Sequence, residues 1–295
     1  MKRMSGVVAA VAVVLLTGAQ TVRSNGGTVD RLYVFDCGVG HSNDSSNWTN
    51  ETSVGKPIDI SVSCYLIHNP DGGYVLYETG ISDLVATLPN GWQAGGSAQG
   101  IHWTMAKSLA SQLAEIKVAP SDIKYVAISH MHPDSYVEEF PASIVLIQRR
   151  EFEEAFPPDQ IIALQAPPTQ PRTSFRPSHP VRLLQGDTDI FGDGSATLVA
   201  TPGHTAGHQS MVVHLAKTGY VILTADAVHL QQNWDNRRIP YFEKNTTGAN
   251  NEYGINMWLS MQRLADMQNF YKAQLWILHD IEQTKTLRHS PQFYE

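Results

Sequence analysis

Tyr125-Val-Ala-Ile128 is a short, wholly apolar run, and Ser129-His-Met-His-Pro-Asp134 follows it without a break. Four apolar residues in a row suit a strand buried on both faces. Past its end, His130, His132 and Asp134 are spaced by two. In extended backbone such residues point the same way, so one strand end can aim two imidazoles and a carboxylate at one point. Those groups are usual zinc ligands in catalytic sites.

The same grammar recurs along the chain. Thr201-Pro-Gly-His204 follows the run Ala196–Ala200, Asp226 follows Val221-Ile-Leu-Thr224, and His279 follows Leu275-Trp-Ile-Leu278. Each is an apolar run, then a ligand-type side chain. Burying so many ionisable groups is costly unless something pairs them, and a dication would do so. Further strands are expected at Leu32–Phe35, Val62–Ile67, Tyr74–Tyr77, Ile144–Ile147, Thr188–Phe191, Ser210–Leu215 and Tyr220–Thr224. Asn69-Pro-Asp-Gly-Gly73, Asp193-Gly194 and Lys217-Thr-Gly219 supply turn chemistry between neighbours. Apolar residues recur at three or four from Trp103 to Ile116 and from Tyr253 to Phe270, as on amphipathic helices, and Arg149–Phe156 suits a short one. On this pattern Met105, Trp258, Met261 and Trp276 belong to the core. Residues 38–57, 89–100 and the Pro-rich 157–180 read as loops. Strands followed by helices, twice over, indicate an α/β fold of two packed sheets with helices outside. No linker divides the chain, so residues 30–295 are expected to form one domain.

On the segments Ser129–Asp134, Thr201-Pro-Gly-His-Thr-Ala-Gly-His-Gln-Ser210, Thr224-Ala-Asp226 and His279-Asp-Ile-Glu-Gln283, the chain resembles the metallo-β-lactamase superfamily. Within it, the chain is most similar to the N-acyl homoserine lactonases. The resemblance runs from about Arg31 to Gln283. It implies a four-layer αββα sandwich with a two-zinc site at the sheet edges. It also implies that His130, His132 and His204 hold the first zinc, Asp134 and His279 the second, and that Asp226 bridges the two. The activity implied is opening of a lactone ring by water activated between the metals. Asp134 would orient that water and pass its proton to the leaving group. His229 stands near the place of a Tyr that contacts the substrate carbonyl in family members, so it is the candidate for that contact. His208 is expected to support the site rather than ligate. His41, His68, His102, His179, His214 and His289 lack motif context and are read as ordinary surface or core histidines.

Two departures from the family pattern stand out. Ser135 follows Asp134 where a metal-binding His is usual, and the chain reaches Val137-Glu-Glu-Phe140 about two residues early. Glu78, in Tyr77-Glu-Thr-Gly80, stands where an Asp is usual. With Ser135 in place of an imidazole, one zinc is expected to bind firmly and the second more weakly. Hydrolysis of a β-lactam, thioester or phosphodiester, and a non-catalytic, one-metal use of the fold, stay open as alternatives. A di-iron centre would need more carboxylates than these segments offer.

Composition bounds the rest. The 295 residues are 42% hydrophobic and 17% charged, enough for a large core and unlike a disordered chain. The formal charge is −7 and no basic run follows the first few residues, which argues against nucleic acid as a partner. A small-molecule substrate is expected instead. Lys2 and Arg3, the apolar run Val7–Leu16 and the small residues up to Ala19 read as a secretory signal over residues 1–19. Its removal shifts the charge from −7 to −9, since it carries two cations and no acid. A periplasmic or secreted protein with no stable membrane association is the expectation. In an oxidising compartment Cys37 and Cys64 can bridge if their strands are neighbours, and buried free thiols are the equal alternative. Asn43, Asn47, Asn50 and Asn245 fit the glycosylation sequon and are read as polar loop residues.

Overall fold

The structure is a computed structural model that describes residues 26–49, 55–93, 100–132, 134–156, 179–240 and 252–295. Thirteen strands are assigned in it: β1 (Arg31–Ser42), β2 (Ile58–Asn69), β3 (Gly73–Tyr77), β4 (Trp92–Gln93), β5 (Ile101–Thr104), β6 (Ile123–Ala127), β7 (Ile144–Gln148), β8 (Val181–Leu184), β9 (Thr188–Asp189), β10 (Ala196–Ala200), β11 (Gln209–Leu215), β12 (Gly219–Leu223) and β13 (Gln274–Trp276). The α-helices are α1 (Leu109–Glu115), α2 (Arg149–Ala155), α3 (Gln231–Asn236), α4 (Glu252–Tyr271) and α5 (Ile281–Thr284). One sheet runs β4-β5-β1-β2-β3-β6-β7-β8 and the other β13-β12-β11-β10-β9.

Side-chain alternation turns these two sheets into four layers. In β2 and β3, Leu66 and Leu76 face an outer core with Leu109 and Leu113 of α1. Their neighbours Tyr65, Ile67, Val75 and Tyr77 face inward, against Leu198, Met211, Val213, Val221 and Leu223 of the other sheet. In that second sheet Val212 and Ile222 point outward onto Met257, Met261 and Leu264 of α4. Period-two strands thus bury both faces, and an αββα sandwich results.

Local differences from the sequence pattern have physical causes. The helix expected over Trp103–Ile116 is a strand and then a helix. Ile101 and Trp103 alternate into the core as β5 pairs with β1, and Ser108 caps the start of α1 by accepting from Ser111 N. The loop expected from residue 38 begins later, because β1 continues to Ser42 beyond an irregularity between Asp36 and Val39. Thr188–Phe191 is strand only over Thr188–Asp189. In α4, Met257, Met261 and Leu264 are buried, whereas Ile255, Trp258 and Leu259 are 53%, 46% and 52% exposed, so Trp258 is not a core residue. Met105, Met261 and Trp276 are buried as expected. Cys37 and Cys64 are joined by a disulfide, with Cα atoms 5.9 Å apart. Gly80 packs on it at φ +72°, where an added Cβ would stand 2.3 Å from that of Cys37.

Among the described residues, no helix is long and apolar enough to cross a membrane. The signal segment, the Pro-rich stretch over 157–178, Asn50 and Asn245 lie outside the described residues.

Candidate metal centre

The ligand-type residues sit where strands of both sheets end. β6 stops at Ala127, and Gln209 ties the chain beyond it to the opposite sheet. Its Nε2 donates to Ile128 O at 2.8 Å and Leu146 O at 3.0 Å, and its N–H donates to Ser129 O at 3.0 Å. Tyr77 Oη donates to Gln209 O at 2.9 Å. The carboxylate of Glu151 then joins the two histidine loops, accepting from Met131 N at 2.9 Å and Gly207 N at 3.0 Å. Gly207 can be nothing larger, since a Cβ would meet Glu151 N at 2.3 Å. Gly203 is similarly forced: it sits at φ +145° against the backbone of Met257, which fixes the His204 loop to α4.

Six residues singled out in the sequence meet here. His130, His132 and His204 form one group of potential ligand atoms within 4.8 Å of one another, and Asp134, Asp226 and His279 form another. His204 Nε2 is 3.0 Å from His132 Nδ1. Asp226 Oδ2 is the hub: His279 Nε2 lies 3.2 Å away, His204 Nε2 3.3 Å and His130 Nε2 4.0 Å. His279 Nε2 also lies 3.4 Å from Asp134 Oδ2. His229 joins the cluster too, with Nε2 3.0 Å from the same Asp226 oxygen, and forms a third group with His204 and Asp226.

The ring orientations are set from behind. Ser129 Oγ is 2.7 Å from His130 Nδ1, and His279 Nδ1 donates to Ser61 O at 2.8 Å. Such contacts fix the tautomer and direct the opposite nitrogen inward. His208 is buried behind the cluster, its Nε2 accepting from Asp226 N at 3.1 Å and its Nδ1 beside Thr201, so it supports Asp226 as expected. Glu78 accepts from Ser129 N at 2.6 Å and from Ser135 Oγ at 3.0 Å. The longer Glu therefore reaches the backbone beside His130 and the hydroxyl beside Asp134 together. Asp280 Oδ1 caps α5 by accepting from Gln283 N at 2.9 Å, while its Oδ2 accepts from Gln231 N at the start of α3 at 2.7 Å.

Electrostatics follow from burial and crowding. Burial pushes the Glu78 carboxyl up to about 8. Burial and the neighbouring His132 hold His130 well below its usual range, and burial brings His208 down to about 3. Burial alone would raise Asp226, but the surrounding imidazoles, His279 foremost, hold it well below the usual carboxylate range. His279 is the converse case, where Asp226 and Asp134 outweigh burial and raise it to about 9.

Do these residues fit metal ions? Asp226 Oδ1 and His130 Nε2 are buried and have no hydrogen-bond partner among the described residues. Buried polar atoms are rarely left so, and an inward-facing carboxylate oxygen and imidazole nitrogen are both cation donors. The donor set fits zinc-type ions.

Comparison with known proteins agrees. The metallo-beta-lactamase superfamily profile matches residues 58–251. The chain belongs to that superfamily. It is 32% identical over 252 residues to the N-acyl homoserine lactonase AttM of Azorhizobium caulinodans, covering 82% of this chain and 90% of the relative. A solved N-acyl homoserine lactone hydrolase, with the product N-hexanoyl-L-homoserine at its catalytic metal centre, superposes with a TM-score of 0.72. Its identity is 25%, over 90% of this chain and all of that one. The dizinc quorum-quenching lactonase AidC shares the fold at a TM-score of 0.53 and 14% identity, over 87% and 90% of the two chains.

Sequence reasoning missed several residues of the site. Trp48 places its indole edge-on to both His229 and His279, with centroids 5.4 Å from each. It lies in a polar stretch with no local signal of burial. Ser61 and Glu151 likewise look ordinary in sequence, since their partners are far along the chain.

Proposed function

We propose that this member of the superfamily hydrolyses N-acyl homoserine lactones, opening the ring at a two-zinc centre. The observation that carries the reading is the meeting of His130, His132, His204, Asp134 and His279 around the single carboxylate of Asp226. The lactonase relatives supply the substrate class.

In this reading His130, His132 and His204 would hold one zinc and Asp134 and His279 the other, with Asp226 available to both. Zinc ions held there would supply Lewis acidity for water activation near neutral pH and for polarising an ester carbonyl. The chain does the rest. Asp134 takes the proton of the attacking water and delivers it to the ring oxygen as the C–O bond breaks. The Ser129 and Ser61 contacts keep His130 and His279 in one orientation, so the donors are positioned before substrate arrives. Glu78 keeps the backbone beside His130 in register with the turn that carries Asp134.

Export is part of the proposal, and the Cys37–Cys64 disulfide supports an oxidising compartment. The test is to load the protein with Zn²⁺, incubate it with an N-acyl homoserine lactone and follow the ring-opened acid by mass spectrometry. Turnover that disappears with chelator and returns with Zn²⁺ is expected. Intact lactone in the presence of loaded, folded protein would refute the reading.

A further inference from the structure

Ser135 is not available to a cation. It is wholly buried, its hydroxyl donates to Glu78 Oε2 at 3.0 Å, and its backbone bridges Gly80 in parallel, with Tyr136 N donating to Gly80 O at 2.9 Å. The residue after Asp134 is thus turned towards Glu78. That leaves the acidic pocket with two carboxylates and one imidazole, against three imidazoles in its neighbour.

His229 stands ready to make up the difference. It follows Asp226 by three residues, across the 3-10 turn Ala225–Ala227. Only 1% of it is exposed, and its Nε2 lies 3.0 Å from Asp226 Oδ2, the oxygen that His279 also approaches. The His229 ring lies 5.8 Å from that of His279 and 5.0 Å from that of His204, between the two pockets, and the indole of Trp48 packs in T-shaped contact with His229 and His279. One aromatic wall therefore orients the two imidazoles, and both turn Nε2 to the same carboxylate. A buried imidazole so aimed is built as a donor to a cation rather than as a contact for incoming substrate.

We infer that His229 is a metal ligand, giving the second cation an imidazole that Ser135 does not provide. The donor set of that pocket is then Asp134, Asp226, His229 and His279. This rests on the two-metal reading above, but it concerns a residue which that reading does not need.

The native protein can be tested directly. Protein labelled with ¹⁵N-histidine and loaded with ¹¹³Cd²⁺ should show cadmium coupling to the rings of His130, His132, His204, His229 and His279, with the His229 signal assigned by its loss in His229→Gln. Coupling to the other four with His229 silent overturns the inference. Absence of any coupling overturns the metal centre itself, so the two failures are distinct. As a second measurement, His229→Ala should fall from two zinc equivalents to one after dialysis at a concentration that saturates the native protein. Affinity for the second equivalent should drop at least about tenfold. The equivalent that remains reports an intact fold and an intact three-imidazole pocket. Retention of two equivalents with a raised KM would place His229 on the substrate and overturn the inference.

Discussion

The two halves of the metal cluster are built by different means. The three-imidazole pocket comes from two loops, one after β6 and one after β10, joined by Glu151 and held against α4 by Gly203. The acidic pocket draws its donors from three separate chain segments, around Asp134, Asp226 and His279, and depends on Trp48, Ser61 and Asp280 from still other places. A pocket made of adjacent loops tolerates change elsewhere. One assembled from dispersed pieces is sensitive to many residues, and this is the half that departs from the family pattern.

The largest blow to both halves should come from Asp226→Ala, which removes their common carboxylate. Lactone kcat/KM is expected to fall by roughly 10³-fold, about 4 kcal/mol of transition-state stabilisation, with zinc content well below two equivalents. Retained activity would mean that the pockets work separately. The cross-link offers a selective perturbation. Replacing Cys37 and Cys64 together by Ser frees a bridge with a sequence separation of 27, which should cost about 3–4 kcal/mol in urea unfolding. Since β2 carries both Cys64 and the Ser61 carbonyl that orients His279, the acidic pocket should lose zinc before the imidazole pocket does.

Glu78→Ala sharpens the contrast differently. It removes the acceptor for Ser129 N beside His130 and for Ser135 Oγ beside Asp134, so both pockets should weaken together, by about 10- to 100-fold in metal affinity measured by competition with a chelator. Loss confined to one pocket would show that only one of its two hydrogen bonds matters.

The smallest effect lies away from the cluster, at Glu139, which accepts from Asp83 N at 2.7 Å and is raised to about 8 by burial and by Asp83. The folded state holds this proton more tightly than the unfolded chain, where the group has its ordinary value of 4.5. Its contribution is therefore complete below about pH 4.5 and is lost as pH rises to about 8. Glu139→Gln, neutral throughout, should flatten that slope and gain roughly 1–3 kcal/mol at pH 8 relative to the parent. Unfolding midpoints at pH 5 and pH 8 decide it, and parallel curves would exclude the effect.

Much of the imidazole pocket was legible because its signal is local: an apolar strand, then ligands at spacing two. Asp226 and His279 were legible by the same strand-end grammar. Trp48 was not, because nothing around it alternates and its partners are His229 and His279, far along the chain. Trp258 misled for a related reason. Periodicity identifies an apolar stripe on α4, but only the facing sheet decides which part is covered, and Val212 and Ile222 meet Met257 and Met261. Trp103 and Thr104, the end of β5, read as the start of a helix because the pairing of β5 with β1, about sixty residues earlier in sequence, is invisible to a short window.

The double grip of Asp280 has a kinetic consequence. By fastening the start of α3 to the cap of α5, it holds the segments bearing His229 and His279 at a set separation through bonds in which no ion takes part. A cavity braced in this way needs little rearrangement to receive or release its cargo. Exchange of one divalent ion for another should then proceed without unfolding, and the metal found in the protein would track the supply in its surroundings.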